Sequence, residues 1–245
     1  MRKEHNILHA AFKHAVMMRQ MATNPADAVV PPRPKRTEMH FLTEAEAAAM
    51  LRAARDTDLY LPLLLAVGTG MRRGELLGLR WSDIDLDGGA AIVNQALQEA
   101  YGKIEFKEPK TTRSRRCITL PDLVVEALRV QHAAHAAKAL AAEPGYIPSD
   151  LVLPAPGGGP WWPSNFDRIW RRFKKKQSLA IRFHDLRHTH ATQLLRAGVN
   201  IKVISERLGH ASIGITLDTY SHVMPGMQEE AAEKIDAGLR KALAG

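Results

Sequence analysis

A single cysteine, Cys117, stands in the 245-residue sequence, which excludes an internal disulfide framework and any cysteine-rich zinc site. Apolar runs are short. None approaches the ~20 residues that span a bilayer, and the longest, Leu59 to Val67, contains Pro62 and stops at Gly68. The opening MRKEHNILHA has no apolar core and no small-residue cleavage site, so no secretory signal is read there. Internal repeats and low-complexity segments are lacking too. Together these absences lead to the expectation of a soluble cytoplasmic protein with no membrane partner.

What is present is basic. The composition, 45% hydrophobic and 24% charged, is that of a globular chain, and its length suffices for one large domain or one domain with a small companion. A net charge of +8 and a pI near 9.7 suggest a polyanionic partner. The charge is also clustered, in KIEFKEPKTTRSRR (residues 103–116) and RIWRRFKKK (residues 168–176). Both clusters are interleaved with apolar residues, unlike a solvated tail.

Hydrophobic spacing predicts an α+β fold that is mainly α-helical. Residues 3–22 read as an amphipathic helix carrying Ile7, Leu8, Ala11, Phe12, Ala15 and Val16, and a proline-rich basic linker follows. The main domain begins near His40, where Thr43 and Glu46 form a capping box. Helices are expected over 58–67 and 72–79, separated by Gly68-Thr69-Gly70. Residues 81–120 then turn to a small antiparallel sheet of about three strands: WSDIDL, AAIVNQAL and RCITL. Pro121 opens a long helix, and Ser164 is read as the cap of one whose apolar side is Phe166, Ile169, Trp170 and Phe173. Further helices are expected over 184–197, 200–208, 212–220 and 227–243.

Four segments could carry chemistry. In HDLRHTH (residues 184–190), His184 and Arg187 lie three apart, on one helical face. A proton-handling histidine beside a forked guanidinium suits a phosphate, although an isolated HxxR is more often a polar helix face. His184 and His188 also have i, i+4 zinc spacing, but the glutamate of HExxH is missing. In TGMRRGELLGLRW (residues 69–81), glycines precede a helix whose N-terminus bears Arg72, with Glu75 placed to orient a basic group; a solvated surface arginine is the plain alternative. The loop PKTTRSRR (residues 109–116) could bring a lysine to a leaving oxygen, or simply touch DNA backbone. The stretch LGHASIGITLDTYSHV (residues 208–223), with what precedes it, also has the rhythm of a helix-turn-helix reader.

In this order, TGMRRGEL, HDLRHTHAT and LGHASIGITLDTYSHV resemble the catalytic domain of the tyrosine recombinase family, the phage integrases and their relatives. The resemblance spans about residues 40–225. It implies residues 1–24 as the remnant of a helical core-binding domain, 25–39 as linker, and 226–245 as a C-terminal helix that could dock in cis or on a neighbouring protomer. By the same resemblance, Arg72 and Arg187 would clamp the scissile phosphate and Tyr220 would attack it, forming a 3′-phosphotyrosyl bond. Lys110 would be the general acid, His184 the base or proton shuttle for Tyr220, and His210 a hydrogen-bond donor to the phosphate. Glu75 matches the family's supporting acidic position. His188, His190 and His222 are given structural or supporting roles. Arg73, Arg113, Arg115, Arg171, Lys174 and Lys175 are candidates for binding DNA backbone. No cofactor and no metal are implied. The implied partners are double-stranded DNA, a homotetramer on two synapsed sites, and accessory DNA-bending proteins. Two other functions stay open: relaxation of supercoils in the manner of a type IB topoisomerase, and DNA binding without recombination.

Overall fold

The capping box predicted at Thr43 forms. Glu46 Oε2 accepts the Thr43 backbone N–H at 2.8 Å, and Thr43 Oγ1 accepts that of Glu46 at 3.3 Å. It starts helix α2 (Glu44–Ala54) in a computed structural model that describes residues 2–31, 40–108, 115–141, 147, 149–220 and 227–243. The chain divides into two compact units, Met1–Met39 and His40–Gly245.

In the first unit, helix α1 covers Arg2–Met17, shorter at its C-terminal end than the sequence suggests. Arg19 takes a left-handed φ of 58°, which lets Gln20 donate back to the Ala15 carbonyl at 2.9 Å and closes the helix. A turn of 3-10 helix, Pro25–Ala28, follows, capped by Asn24. It is tied to α1 by His9 Nε2 and Asp27 Oδ1 at 2.8 Å.

The second unit is built around α3 (Tyr60–Thr69), in which Leu63 and Leu65 are wholly buried. Against α3 pack α2, α5 (Asp122–Leu140) and α7 (Asp185–Arg196). Short α4 (Arg73–Leu77) comes next in the chain, then five strands: β1 (Ile84–Asp85), β2 (Ala90–Val93), β3 (Ala96–Ala100), β4 (Lys103–Lys107) and β5 (Arg116–Thr119). The three-stranded antiparallel sheet has the order β1-β2-β5, with Ala91 opposite Ile118. Strands β3 and β4 form a separate hairpin, Leu97 opposite Phe106. AAIVNQAL is thus two strands rather than one, broken between Val93 and Ala96, and KIEFK pairs with the second. The hairpin lies on α4 at a distance that only glycine permits. A Cβ on Gly74 would stand 2.6 Å from the Leu97 carbonyl oxygen.

Helix α6 runs Pro163–Lys176 and is capped by Trp162 with Pro163 at its first position, so Ser164 is not the cap. Proline fits there because the first helical N–H has no intrahelical partner. Phe166, Trp170 and Phe173 point inward as expected, and Phe166 meets Phe183 edge-on at 5.1 Å. Helices α8 (Ile201–Leu208), α9 (Ile213–Tyr220) and α10 (Met227–Leu243) complete the described chain; Ile235, Leu239 and Leu243 on α10 are exposed. Among the described residues, no helix is long and apolar enough to cross a membrane.

The turn ending α3 is tight in both backbone and surroundings. Gly70 has φ 66°, and a Cβ there would approach His190 Cδ2 to 2.6 Å and Leu208 Cδ2 to 2.8 Å. Gly70→Ala is therefore expected to cost about 1–2 kcal/mol for the left-handed backbone and a further ~1–3 kcal/mol for overpacking. Gly102 is the control. Its φ is 69°, yet nothing lies within 4 Å of the added carbon, so Gly102→Ala should carry the backbone cost alone. Urea unfolding of the two variants measures the difference.

Candidate active site

Two turns meet beside α7. Arg72 is the N-cap of α4, just past Gly70, and its backbone N–H donates to Glu75 Oε2 at 2.8 Å. Its guanidinium donates to Glu75 Oε1 at 2.8 Å and reaches toward the Gly209 carbonyl at 3.4 Å. Arg187, buried on α7, donates through Nη1 to the Gly70 carbonyl at 2.7 Å and through Nη2 to the Leu208 carbonyl at 2.6 Å. One planar side chain thus ties the turn carrying Arg72 to the turn carrying His210.

Glu75 is the shared anchor. Besides Arg72 it accepts two bonds from Arg116, Nη1 to Oε1 at 3.1 Å and Nη2 to Oε2 at 2.8 Å. Burial works against its charge, but Arg116 and Arg72 outweigh it and hold the carboxyl down at about 2. Arg116, the first residue of β5, is itself buried and also donates to the Arg207 carbonyl at 2.8 Å. Sequence reading took Arg116 only as part of a basic cluster and missed this inward role.

The histidines divide by partner. His190 Nδ1 donates to the Val67 carbonyl at 2.7 Å while Nε2 accepts from Arg207 at 3.1 Å, so this ring is a structural link between α3, α7 and α8. His210 follows α8, with Nδ1 2.8 Å from Thr216 Oγ1; burial, then the charges of Arg187 and Arg72, push it down to about 4. His184 is the N-cap of α7, and burial followed by Arg187 and Arg72 lowers its pKa as well. Both rings are therefore neutral at pH 7, and the positive charge of the pocket resides on the arginines.

Tyr220, the last residue of α9, is only 1% exposed. Its hydroxyl lies 2.8 Å from His188 Nδ1. The family resemblance implies His184 as the partner of Tyr220; the residue that meets its hydroxyl is His188, one helical turn further along α7. Burial pushes the phenol up to about 12, opposed by Arg187.

The basic candidates separate into two clefts. Arg73, Arg171 and Lys174 line one together with Arg72, Arg182 and His184. Within it Arg73 pairs with Asp167, Arg171 Nε donates to the Asp167 carbonyl at 3.2 Å, and Lys174 Nζ donates to the Ile181 carbonyl at 3.2 Å. Lys175 is exposed on α6 and does not line this cleft. Arg115 lines a second cleft with Arg116, Gly209 and His210, and faces Glu108 at 3.6 Å. Lys110, Arg113 and His222 lie outside the described residues.

A helical domain that holds Arg72, Arg187 and a tyrosine at a helix end within electrostatic reach of one another carries the groups needed to hold a phosphodiester and attack it. The chain belongs to the phage integrase family, which matches residues 40–226. Two relatives are each 30% identical over 94% of this chain: a tyrosine recombinase XerC-like protein of Caldanaerobacter subterraneus subsp. tengcongensis and the ICEBs1 integrase of Bacillus subtilis. The chain spans 64% and 63% of their respective lengths, just under two thirds. Among solved structures, the Tn1549 transposon integrase bound to a circular intermediate DNA shares the fold, with a TM-score of 0.78 at 23% identity over 95% of this chain and 78% of that one. The XerA recombinase is similar at a TM-score of 0.62 and 26% identity, covering 83% of this chain and 66% of its own.

Proposed function

We propose that this chain is a site-specific DNA recombinase of the integrase type, cutting and rejoining double-stranded DNA through a phosphotyrosyl bond at Tyr220. The observation that carries this reading is the bridging of the Arg72 and His210 turns by Arg187, which also exerts its charge on Tyr220. In this reading, Arg72 and Arg187 grip the non-bridging oxygens and stabilise the pentacoordinate transition state. Glu75 holds Arg72 in place, and neutral His210 and His184 offer hydrogen bonds to the phosphate. Lys110, by resemblance alone, protonates the leaving 5′-oxygen. Because the phosphotyrosyl bond retains the energy of the phosphodiester, rejoining needs no nucleotide.

The two clefts beside the site carry the DNA backbone, with Arg73, Arg171 and Lys174 on one side and Arg115 on the other. Assembly is a tetramer on two synapsed sites. The exposed Ile235, Leu239 and Leu243 of α10 supply an apolar stripe for packing on a neighbouring protomer. A solved lambda integrase tetramer on a Holliday junction is a structural neighbour, with a TM-score of 0.61 at 22% identity. Residues 1–24 belong to a helical core-binding domain, 25–39 are linker, and 40–225 form the catalytic domain. The protein works in the cytoplasm on nucleoid DNA, with DNA-bending proteins as further partners.

The test is covalent capture. Nicked duplexes of randomised sequence, whose cut ends diffuse away, are incubated with the protein and denatured. Wild type should retain DNA in a denaturation-resistant adduct that maps to Tyr220 by peptide mass, and Tyr220→Phe should retain none. Plasmid relaxation without strand exchange would favour the topoisomerase-like activity. DNA retained only before denaturation would favour a binding module.

A further inference from the structure

The attack proposed for Tyr220 has a proton to dispose of. A phenol held well above its ordinary range is almost fully protonated at pH 7, so nucleophilic attack needs an acceptor in contact with the hydroxyl. The sequence motif offered His184 for that task. His188 is the ring in hydrogen-bond contact, with Nδ1 2.8 Å from the Tyr220 hydroxyl and ring centroids 5.7 Å apart. His184 instead meets His188 edge-on, at 5.2 Å between centroids. His188 directly follows Arg187, so α7 presents a phosphate-gripping group and a proton acceptor from consecutive positions.

We propose that His188 is a catalytic residue that takes the proton of Tyr220 as the phosphotyrosyl bond forms. The inference rests on the reading of Tyr220 as nucleophile. In the step, a lone pair of the Tyr220 oxygen forms the bond to phosphorus and the O–H bond breaks toward His188 Nδ1. The bond from phosphorus to the 5′-oxygen breaks at the same centre, and that oxygen takes a proton from the general acid assigned to Lys110. Rejoining runs the same transfers backward, so neither proton is lost overall.

The surroundings fit a ring that waits for DNA. Among the described residues, His184, Asp185, Arg182 and Arg187 from α7 and the residues before it, Tyr220 from α9, and His210 are the titratable and charged groups that act on it. Burial and then the neighbouring His184 push it down to about 4, with Asp185 in opposition. The free protein thus holds a neutral acceptor facing a protonated phenol. A scissile phosphate seated on Arg72 and Arg187 brings the negative charge that stabilises an imidazolium, while bonding to phosphorus acidifies the phenol. The proton then has a reason to move only when substrate is present.

The experiment uses a duplex recovered from the covalent-capture pool and follows adduct formation in a single turnover. His188→Ala removes the ring; His188→Asn places an amide near the Nδ1 position, keeping a hydrogen bond without accepting a proton. Both are expected to slow adduct formation about 10²–10³-fold, with DNA retention in gel shifts and thermal melting close to wild type for His188→Asn. A fluorinated tyrosine at position 220, whose phenol ionises more readily, should recover at least about tenfold of the rate in His188→Asn and little in wild type. Wild-type speed in His188→Asn would reduce the contact to positioning and overturn the proposal. So would a slow His188→Asn that the fluorinated tyrosine fails to recover, or recovery seen in His184→Asn instead. A covalent-capture pool that yields no duplex would remove the recombinase reading itself, and the proposal with it.

Discussion

Glu75→Ala is expected to cost about 3–5 kcal/mol of folding stability at neutral pH, the scale seen when one partner leaves a buried ion pair. The carboxylate is 7% exposed and accepts from the Arg72 backbone, the Arg72 guanidinium and both terminal nitrogens of Arg116. Removing it leaves Arg116, 8% exposed, next to Arg72 and Arg187 with no carboxylate between them. The pH dependence has a definite sign. A carboxyl held at about 2 in the fold, against an ordinary 4.5, contributes stability that is fully present above pH 4.5. That contribution disappears as pH falls through the folded value. Urea unfolding of wild type and variant at pH 7 and at pH 3 should therefore show a gap that narrows in acid. A gap below about 1 kcal/mol at pH 7 would mean that Glu75 does not hold the arginines.

Arg187→Lys should be nearly as damaging to cleavage as deletion of the side chain. The guanidinium spans two carbonyls, on Gly70 and Leu208, with two nitrogens in one plane. An ammonium on a flexible stem cannot reproduce that fork. On the proposed reading the variant loses a phosphate contact, and it also loosens the tie between the Arg72 and His210 turns. Loss of one preorganised donor costs about 10²–10³-fold, and the freed turns add to it, so adduct formation should fall by at least about 10³-fold. DNA retention in gel shifts should change far less, because the backbone contacts proposed above lie in the flanking clefts rather than at Arg187. A rate within about tenfold of wild type would remove Arg187 from the role given to it here.

Much of this architecture is legible in the sequence, and the reasons differ by residue. Thr43 with Glu46, Gly209 ending α8, and the inward aromatic stripe of α6 are local signals, governed by spacing of three or four residues. Family membership is legible because TGMRRGEL and HDLRHTHAT are long enough to be specific. Arg116 is different. It follows Arg115 in the chain, and nothing nearby marks that Arg116 turns inward to a glutamate 41 positions earlier. The pairing of His188 with Tyr220 spans 32 positions and depends on how α9 packs, which no local pattern encodes. The hairpin β3–β4 was hidden by composition: KIEFK looks like charge for a ligand, yet it pairs with β3, the strand that lies on α4.

The gathering of Arg72, Arg116 and Arg187 around a single carboxylate has a consequence for the life of the protein in a cell. Burial first, and then the charges of Arg72 and Arg116, press Arg187 toward losing its proton, with Glu75 in opposition. On the proposed reading a phosphate seated there would relieve that pressure, and by mass action a ligand that binds only the native chain shifts the folding equilibrium toward it. Molecules seated on their sites would thus resist heat and proteases, while those adrift would open more often and be cleared first. The same charges that prepare the pocket for a phosphate would in this way match the amount of protein that persists to the number of DNA sites available to hold it.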